Sequence, residues 1–194
     1  AARHVAGRFG APGTVLIGLS LEVVGALILA LILGPDTSGW LIALPLVIYG
    51  VGLGFASAQL TGTVLRDIPV ENSGQASATQ STVRQIGSSL GTAISGSVFS
   101  VSLALSLPKA LNTIGFDGPA AEGIAEAARQ SAGSSIEGLR AQGAASPFGE
   151  ETAVLVRALS DGMSDAARWS LLTAVAFLGL GFIGALQARK AAQG

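Results

Sequence analysis

Few residues of this chain can carry out covalent or metal chemistry. The 194 residues include no cysteine and a single histidine, His4, which excludes thiol nucleophiles, thiolate metal sites and disulfides. The sequence also lacks the G-x-S-x-G nucleophile motif, a phosphate-binding glycine loop and any metal-ligand spacing. We therefore predict that the protein is not an enzyme and has neither a cofactor nor a metal site.

One acidic residue, Glu22, lies inside a long apolar run. An ionised side chain in the middle of a membrane costs about 2.5 kcal/mol or more, so an acid in this setting is a functional candidate by default. Glu22 is accordingly predicted to take part in proton coupling, because a carboxyl group can take up and release a proton. The alternative is a neutral or hydrogen-bonded side chain that only contributes to packing.

The run around Glu22 is one of four that predict an all-α integral membrane protein. Only 12% of the residues are charged and the mean hydropathy is +0.60, whereas soluble domains carry roughly 25% charged residues. About 20 apolar residues are enough for a helix to cross a bilayer. The predicted helices cover residues 14–34, 40–65, 78–107 and 169–188, with a connector at 66–77 and a long loop at 108–168.

Basic residues near the ends of the spans predict the orientation. Six lie on the side of both chain ends, namely Arg3, Arg8, Arg66, Arg84, Arg189 and Lys190. We therefore predict a multi-pass protein of the plasma (inner) membrane with both ends cytoplasmic and the 108–168 loop extracytoplasmic. This loop is either a cap over a pathway or a solvated segment with short surface helices. The net charge of −1 gives no basic surface for nucleic acid.

Glycines recur at four-residue spacing in the second and third spans. This spacing predicts interface packing at Gly50, Gly54, Gly87 and Gly91, because small residues allow two helix backbones to approach closely. The packing is either ordinary helix contact or a face that slides against a partner. The third span is also rich in serine and threonine, which predicts that protein encloses it or that it lines water.

The stretch "RDIPVENSGQASATQSTVRQIGSSLGTAISG", residues 66–96, resembles a known family signature. It is similar to the loop and helix of the fourteen-helix drug:proton antiporter branch of the major facilitator superfamily, in which an acid and "VP" precede G-x-A-S and R-Q-x-G-x-x-x-G. The matching residues are Gly74, Ala76, Ser77, Arg84, Gln85, Gly87 and Gly91. The segment "AGRFGAPGTVLIG" is similar to another loop of the family, but Gly7 stands where the family has an acid.

The resemblance implies that the chain is a C-terminal piece of a longer protein and forms the last four helices of a major-facilitator-type bundle. It implies proton-driven efflux of drug-like or amphipathic small molecules by alternating access. The implied partners are the lipid bilayer, the small-molecule substrate, protons and the missing N-terminal helices. A function of another class is a non-transporting membrane scaffold or oligomerisation module.

The resemblance also implies roles for individual residues. The second helix matches a cavity-lining helix, so Tyr49, Phe55 and Gln59 are expected to line the cavity, or else to make interhelical contacts. Arg84 lies at the predicted cytoplasmic edge of the third span. It is either an anchor that sets helix depth or a cytoplasmic gate or latch that pairs with Asp67, with Glu71 or with an acid of the missing part.

Overall fold

The computed structural model describes residues 2–65 and 68–191, and every regular element in this part of the chain is helical. The six α-helices are α1 (Ala2–Ile32), α2 (Gly39–Leu65), α3 (Ser73–Thr113), α4 (Gly118–Gln130), α5 (Ser134–Gln142) and α6 (Thr152–Ala191). Single 3₁₀ turns lie at Val70–Asn72, Gly143–Ala145 and Gly149–Glu151. The predicted all-α class is confirmed.

Four of the helices are long and apolar enough to cross a membrane. The qualifying segments are Ala6–Ile32, Gly39–Gln59, Val70–Thr113 and Gly149–Lys190, one for each predicted span. Helix α3 has 41 residues and α6 has 40. A 40-residue helix is about 60 Å long, whereas the hydrocarbon layer is about 30 Å thick. Helices α3 and α6 are therefore about twice as long as a single crossing requires.

Helix α3 begins at Ser73, five residues before the predicted start at residue 78. Pro69 adopts a φ of −55° and leads into the 3₁₀ turn Val70–Asn72. The hydroxyl of Ser73 then donates to the carbonyl oxygen of Val70 at 2.7 Å. Because this turn continues directly into the helix, the polar residues that follow are helical and the connector is shorter than predicted.

Helix α3 also continues past Pro108 to Thr113, although the prediction ended it at residue 107. A proline inside a helix costs about 3 kcal/mol because it removes a hydrogen bond and crowds the preceding turn. Leu107 and Leu111, on either side of Pro108, are completely buried. Burying a leucine side chain contributes about 1.5–3 kcal/mol, so the two leucines offset the cost of the proline.

The chain divides into two compact units. The first contains residues 2–29, 39–65, 68–94 and 172–191, and the second contains residues 30–38 and 95–171. In the first unit, α1 is kinked at Gly10, which has a φ of 72° and a ψ of 169°. Pro12 follows the kink, and the hydroxyl of Thr14 donates to the carbonyl oxygen of Gly10 at 2.9 Å.

The second unit has a hydrophobic core of its own, built by α3, α4, α5 and α6. Its buried residues are Leu103, Leu107, Leu111, Ala121, Ala125, Ala128, Ile136, Leu155, Val156, Ala158, Leu159 and Ala166. At the edge of this core, the rings of Phe116 and Phe148 meet edge to face with their centroids 6.0 Å apart. Residues 108–168 are thus packed helices around a core, which goes beyond either form of the loop that the sequence suggested.

Within the second unit, α3 and α6 lie side by side and run antiparallel. The Ser170 hydroxyl on α6 donates to the carbonyl oxygen of Ser95 on α3 at 3.1 Å. Nearer the N-terminus of α6, a Cβ atom on Gly162 would lie 3.2 Å from the carbonyl oxygen of Ser106. The two contacts fix the register of the two helices.

Candidate functional site

The first candidate site is the contact between α1 and α2 in the first unit, where three glycines bring the two backbones together. A Cβ atom on Gly18 would lie 2.6 Å from the backbone nitrogen of Ala56, and one on Gly25 would lie 2.8 Å from that of Tyr49. A Cβ atom on Gly52 would lie 2.5 Å from the carbonyl oxygen of Gly18. Real Cβ atoms essentially never come this close to backbone atoms, so each of these positions requires glycine.

Glu22 lies in this contact. It stands between Gly18 and Gly25 on the same face of α1, because residues three and four apart share one side of a helix. Its backbone nitrogen would be 2.8 Å from a Cβ atom on Gly52, and the residue is only 4% exposed. The ion pairs between described residues do not include Glu22. The predicted coupling residue is therefore a buried acid without a basic partner in the described part of the chain.

Tyr49 is the predicted cavity residue that the structure places beside Glu22. It is half-buried on α2, one turn before Gly52, and its backbone nitrogen would lie 2.8 Å from a Cβ atom on Gly25, one turn beyond Glu22. Phe55 and Gln59 are also half-buried. Their spacing from Tyr49, six and ten residues, puts them on other parts of the α2 surface. The structure thus places Tyr49 in the same helix contact as Glu22, whereas a cavity-lining role for Tyr49, Phe55 and Gln59 stays a prediction.

The glycines expected to pack against a neighbouring helix lie on open surfaces. A Cβ atom on Gly50, Gly54, Gly87 or Gly91 would meet nothing within 4 Å. All residues from 81 to 94 of α3 are exposed as well. These faces make no close contact with the described part of the chain, so their role against other helices stays a prediction. The glycines that do pack closely, Gly18, Gly25 and Gly52, belong to no four-residue repeat noted in the sequence.

A second candidate site is a groove of about 810 Å³ on the N-terminal half of α3. Its lining residues are Ile68, Asn72, Gln75, Ala76, Thr79, Gln80, Val83 and Arg84. The threonine hydroxyl of Thr79 donates to the carbonyl oxygen of Gln75 at 3.0 Å. The groove therefore carries amide and hydroxyl groups around one guanidinium.

The structure describes only part of the predicted latch around Arg84. Arg84 is eleven residues beyond the first residue of α3, about 16 Å along the helix, so it does not lie at the helix entrance. Glu71 is exposed in the 3₁₀ turn, and no ion pair joins it to Arg84 in the described structure. Asp67 lies outside the described residues. The latch itself stays a prediction.

Sequence reasoning missed a set of polar contacts in the second unit. The Arg168 guanidinium donates to the carbonyl oxygens of Ala30 (3.1 Å) and Leu33 (2.8 Å), at the C-terminal end of α1. Arg157 pairs with Asp36 at 3.1 Å. These contacts hold the turn between α1 and α2. These contacts could not be predicted from the basic residues alone, because their partners lie more than 100 positions away and are mostly backbone atoms.

A surface cluster on α4 contains a glutamate, Glu126, whose pKa is shifted by hydrogen bonds, as is usual in structural ion pairs. The side chains of Arg129 and Gln130 donate hydrogen bonds to the Glu126 carboxylate at 2.6–2.8 Å. These hydrogen bonds lower the pKa of Glu126. The cluster is partly exposed and lies on a single helix, so it is part of the surface of the second unit and not of a site.

Comparison with known proteins supports the resemblance seen in the sequence. Residues 1–92 match the family model of the Major Facilitator Superfamily. Over 104 residues the chain is 34% identical to the multidrug resistance protein Stp of Mycobacterium tuberculosis, in both strain CDC 1551 / Oshkosh and strain H37Rv. The aligned part is 54% of this chain but only 19% of that relative. No solved structure matches the chain.

Proposed function

We propose that the chain, whose residues 1–92 match the Major Facilitator Superfamily, forms the last four helices of a transporter that exports drug-like, amphipathic small molecules in exchange for protons. The likeness to a protein named for multidrug resistance supports the substrate class. In this superfamily, related helix repeats surround a substrate site near the middle of the membrane. The remaining helices of the bundle would then come from the rest of the protein.

The observation that carries the proton-coupling part of the proposal is the environment of Glu22. Glu22 is only 4% exposed, and its backbone approaches Gly52 of α2 in a helix pair that has the length and hydropathy of membrane spans. An acid in such a place is costly, so it is a functional candidate by default. Glu22 is therefore proposed as a group that takes up and releases a proton during the cycle, with Tyr49 as the polar side chain beside it.

The exposed polar surface of α3 supports the bundle part of the proposal. A helix that presents serine, threonine and glutamine along an open face is poorly suited to lipid, where polar groups lack partners. Gly87 and Gly91 lie on this open helix. The proposed partner for the surface is the other half of the transporter, which would meet α3 closely through these small residues.

The experiment is transport by the full-length protein in inverted membrane vesicles. We expect vesicles that contain the protein to accumulate lipophilic cations when the vesicle interior is more acidic than the medium. Accumulation should stop when an uncoupler collapses this pH gradient. The panel includes neutral and anionic antibiotics, so that the substrate class is measured directly. A protein that moves no member of the panel under any gradient would contradict transport, and unchanged accumulation with the uncoupler would contradict proton coupling.

A further inference from the structure

We propose that Arg84 lies near the middle of the membrane and there pairs with a carboxylate from another transmembrane helix of the same protein. The inference rests on the proposed function, because the partner helix belongs to the rest of the transporter. The sequence predicted that Arg84 lies at the cytoplasmic edge of the membrane, whereas this inference places Arg84 inside the membrane.

The depth of α6 follows from its charges. Arg168 and Asp165 form an ion pair whose side chains are 40% and 59% exposed, so this part of the helix lies in water or among headgroups. A charge-free run follows from Trp169 to Ala188 and ends at Arg189. These 20 residues span about 30 Å, the thickness of the hydrocarbon layer. Helix α6 therefore enters the hydrocarbon at Trp169, an aromatic residue typical of the interface.

The contact between α6 and α3 shows which residue of α3 lies at the same depth as the start of the membrane crossing in α6. Ser170, the residue after Trp169, donates its hydroxyl hydrogen bond to the Ser95 carbonyl oxygen at 3.1 Å. Ser95 is therefore at the depth where α6 enters the membrane. Beyond it, Leu103 and Leu107 are 3% and 0% exposed in the core of the second unit. These two side chains are thus used for packing. Ser106 shares a pocket with the charged residues Asp161 and Asp165 of α6, so the membrane crossing does not extend to residue 107.

Counting back along α3 gives the depth of Arg84. Eleven residues separate it from Ser95 and eleven from Ser73, the first residue of the helix. Each distance is about 16 Å, half the thickness of the hydrocarbon layer. Arg84 is therefore close to the midpoint of the crossing.

A guanidinium at this depth requires an anionic partner. Arginine keeps its charge in proteins, and a charge in the middle of a membrane is costly unless it is paired or hydrated. No described acid forms an ion pair with Arg84. The groove beside it carries Gln75, Thr79 and Gln80, which offer hydrogen bonds but no charge. A carboxylate complements the guanidinium through two parallel hydrogen bonds.

The partner helix lies outside the described part of the chain. The α3 surface from residue 81 to residue 94 is exposed throughout, so it has room for another helix. The matched relative is about five times as long as the aligned region, which is 19% of it. A protein of that kind has further helices that can supply the acid.

The depth is tested first, and independently of transport. Because the 194 residues contain no cysteine, single labels are introduced as Gly74→Cys, Gly87→Cys and Ser97→Cys in a full-length protein stripped of any other cysteines. We expect the spin label at Gly87 to collide least with a water-soluble nickel chelate, while the labels at Gly74 and Ser97 collide with the chelate freely. A Gly87 label as accessible to nickel as the Gly74 label would overturn the intramembrane position.

The pairing is tested by transport with charge variants. We expect Arg84→Gln to lower efflux at least about tenfold, Arg84→Lys to keep part of it, and the control Arg189→Gln at the end of α6 to keep all of it. Efflux should return in Arg84→Gln when an acid in another transmembrane helix is neutralised. Arg84→Gln activity equal to that of Arg189→Gln would overturn the pairing. So would a changed preference for anionic substrates, which would make the substrate the partner. Wild-type efflux in the same assay shows separately whether the proposed function holds.

Discussion

The contact between α1 and α2 makes a steric prediction at Gly52. In Gly52→Ala the added Cβ atom would lie 2.5 Å from the Gly18 carbonyl oxygen and 2.8 Å from the Glu22 nitrogen. Ordinary van der Waals contact begins at 3.4 Å, and the opposing atoms are backbone, so the helices must separate by roughly 1 Å. Overpacking of this kind costs about 1–3 kcal/mol.

The same substitution at Gly54 is the matched control. A Cβ atom there meets nothing within 4 Å, and alanine is better than glycine inside a helix by about 0.5–1 kcal/mol. Gly54→Ala is therefore expected to be neutral or stabilising. Gly52→Ala gains the same helix preference but carries the steric cost, so its net destabilisation should be up to about 2.5 kcal/mol.

The assay is thermal unfolding of the full-length protein in detergent, followed by the loss of the monodisperse peak in gel filtration. We expect the midpoint of Gly52→Ala to fall below wild type and that of Gly54→Ala to stay level or rise. Gly18→Ala should behave like Gly52→Ala, because its Cβ atom would also meet the α2 backbone. Equal midpoints for Gly52→Ala and Gly54→Ala would refute the close contact between the helices.

Three further predictions concern the second unit. Leu107→Ala should destabilise the unit by about 2–5 kcal/mol, because Leu107 is fully buried; thermal unfolding measures this, and a loss below 1 kcal/mol would contradict the core. Arg168→Met should speed hydrogen exchange of the α1–α2 turn amides by about tenfold through loss of charged hydrogen bonds, whereas Arg129→Met should leave that turn unchanged. Because hydrogen bonds lower the pKa of Glu126, its stabilising effect is present above the ordinary glutamate pKa of about 4.3 and is lost as the pH falls through the lowered value. Glu126→Gln should therefore reduce stability more at pH 7 than at acidic pH below the ordinary glutamate pKa, and an equal effect at both pH values would contradict this role.

Hydropathy was sufficient to predict the four spans and to single out Glu22, because a charge within an apolar run is visible without any tertiary structure. The residues of α2 that pack against Glu22 could not be predicted from the sequence. Which glycines touch depends on how two helices cross, so the regular spacing of Gly50 and Gly54 was visible while the contact formed by Gly52 was not.

The second unit shows a different limit. The sequence predicted that the third membrane span ends at Leu107, because an apolar run followed by a proline such as Pro108 is typical of the end of a span. In the structure, packing of Leu107 and Leu111 carries the helix through the proline. The same apolar composition serves a membrane crossing and a protein core, and only the contacts with α4, α5 and α6 distinguish the two.

Proton coupling through Glu22 is tested most directly by proton movement in proteoliposomes that contain the full-length protein. A pH-sensitive dye is enclosed in the vesicles, and substrate is added to wild type, Glu22→Asp and Glu22→Gln. We expect substrate-dependent proton movement in wild type and, at a reduced rate, in Glu22→Asp, and none in Glu22→Gln, although this variant still binds substrate. Proton movement in Glu22→Gln at the wild-type rate would contradict the coupling role.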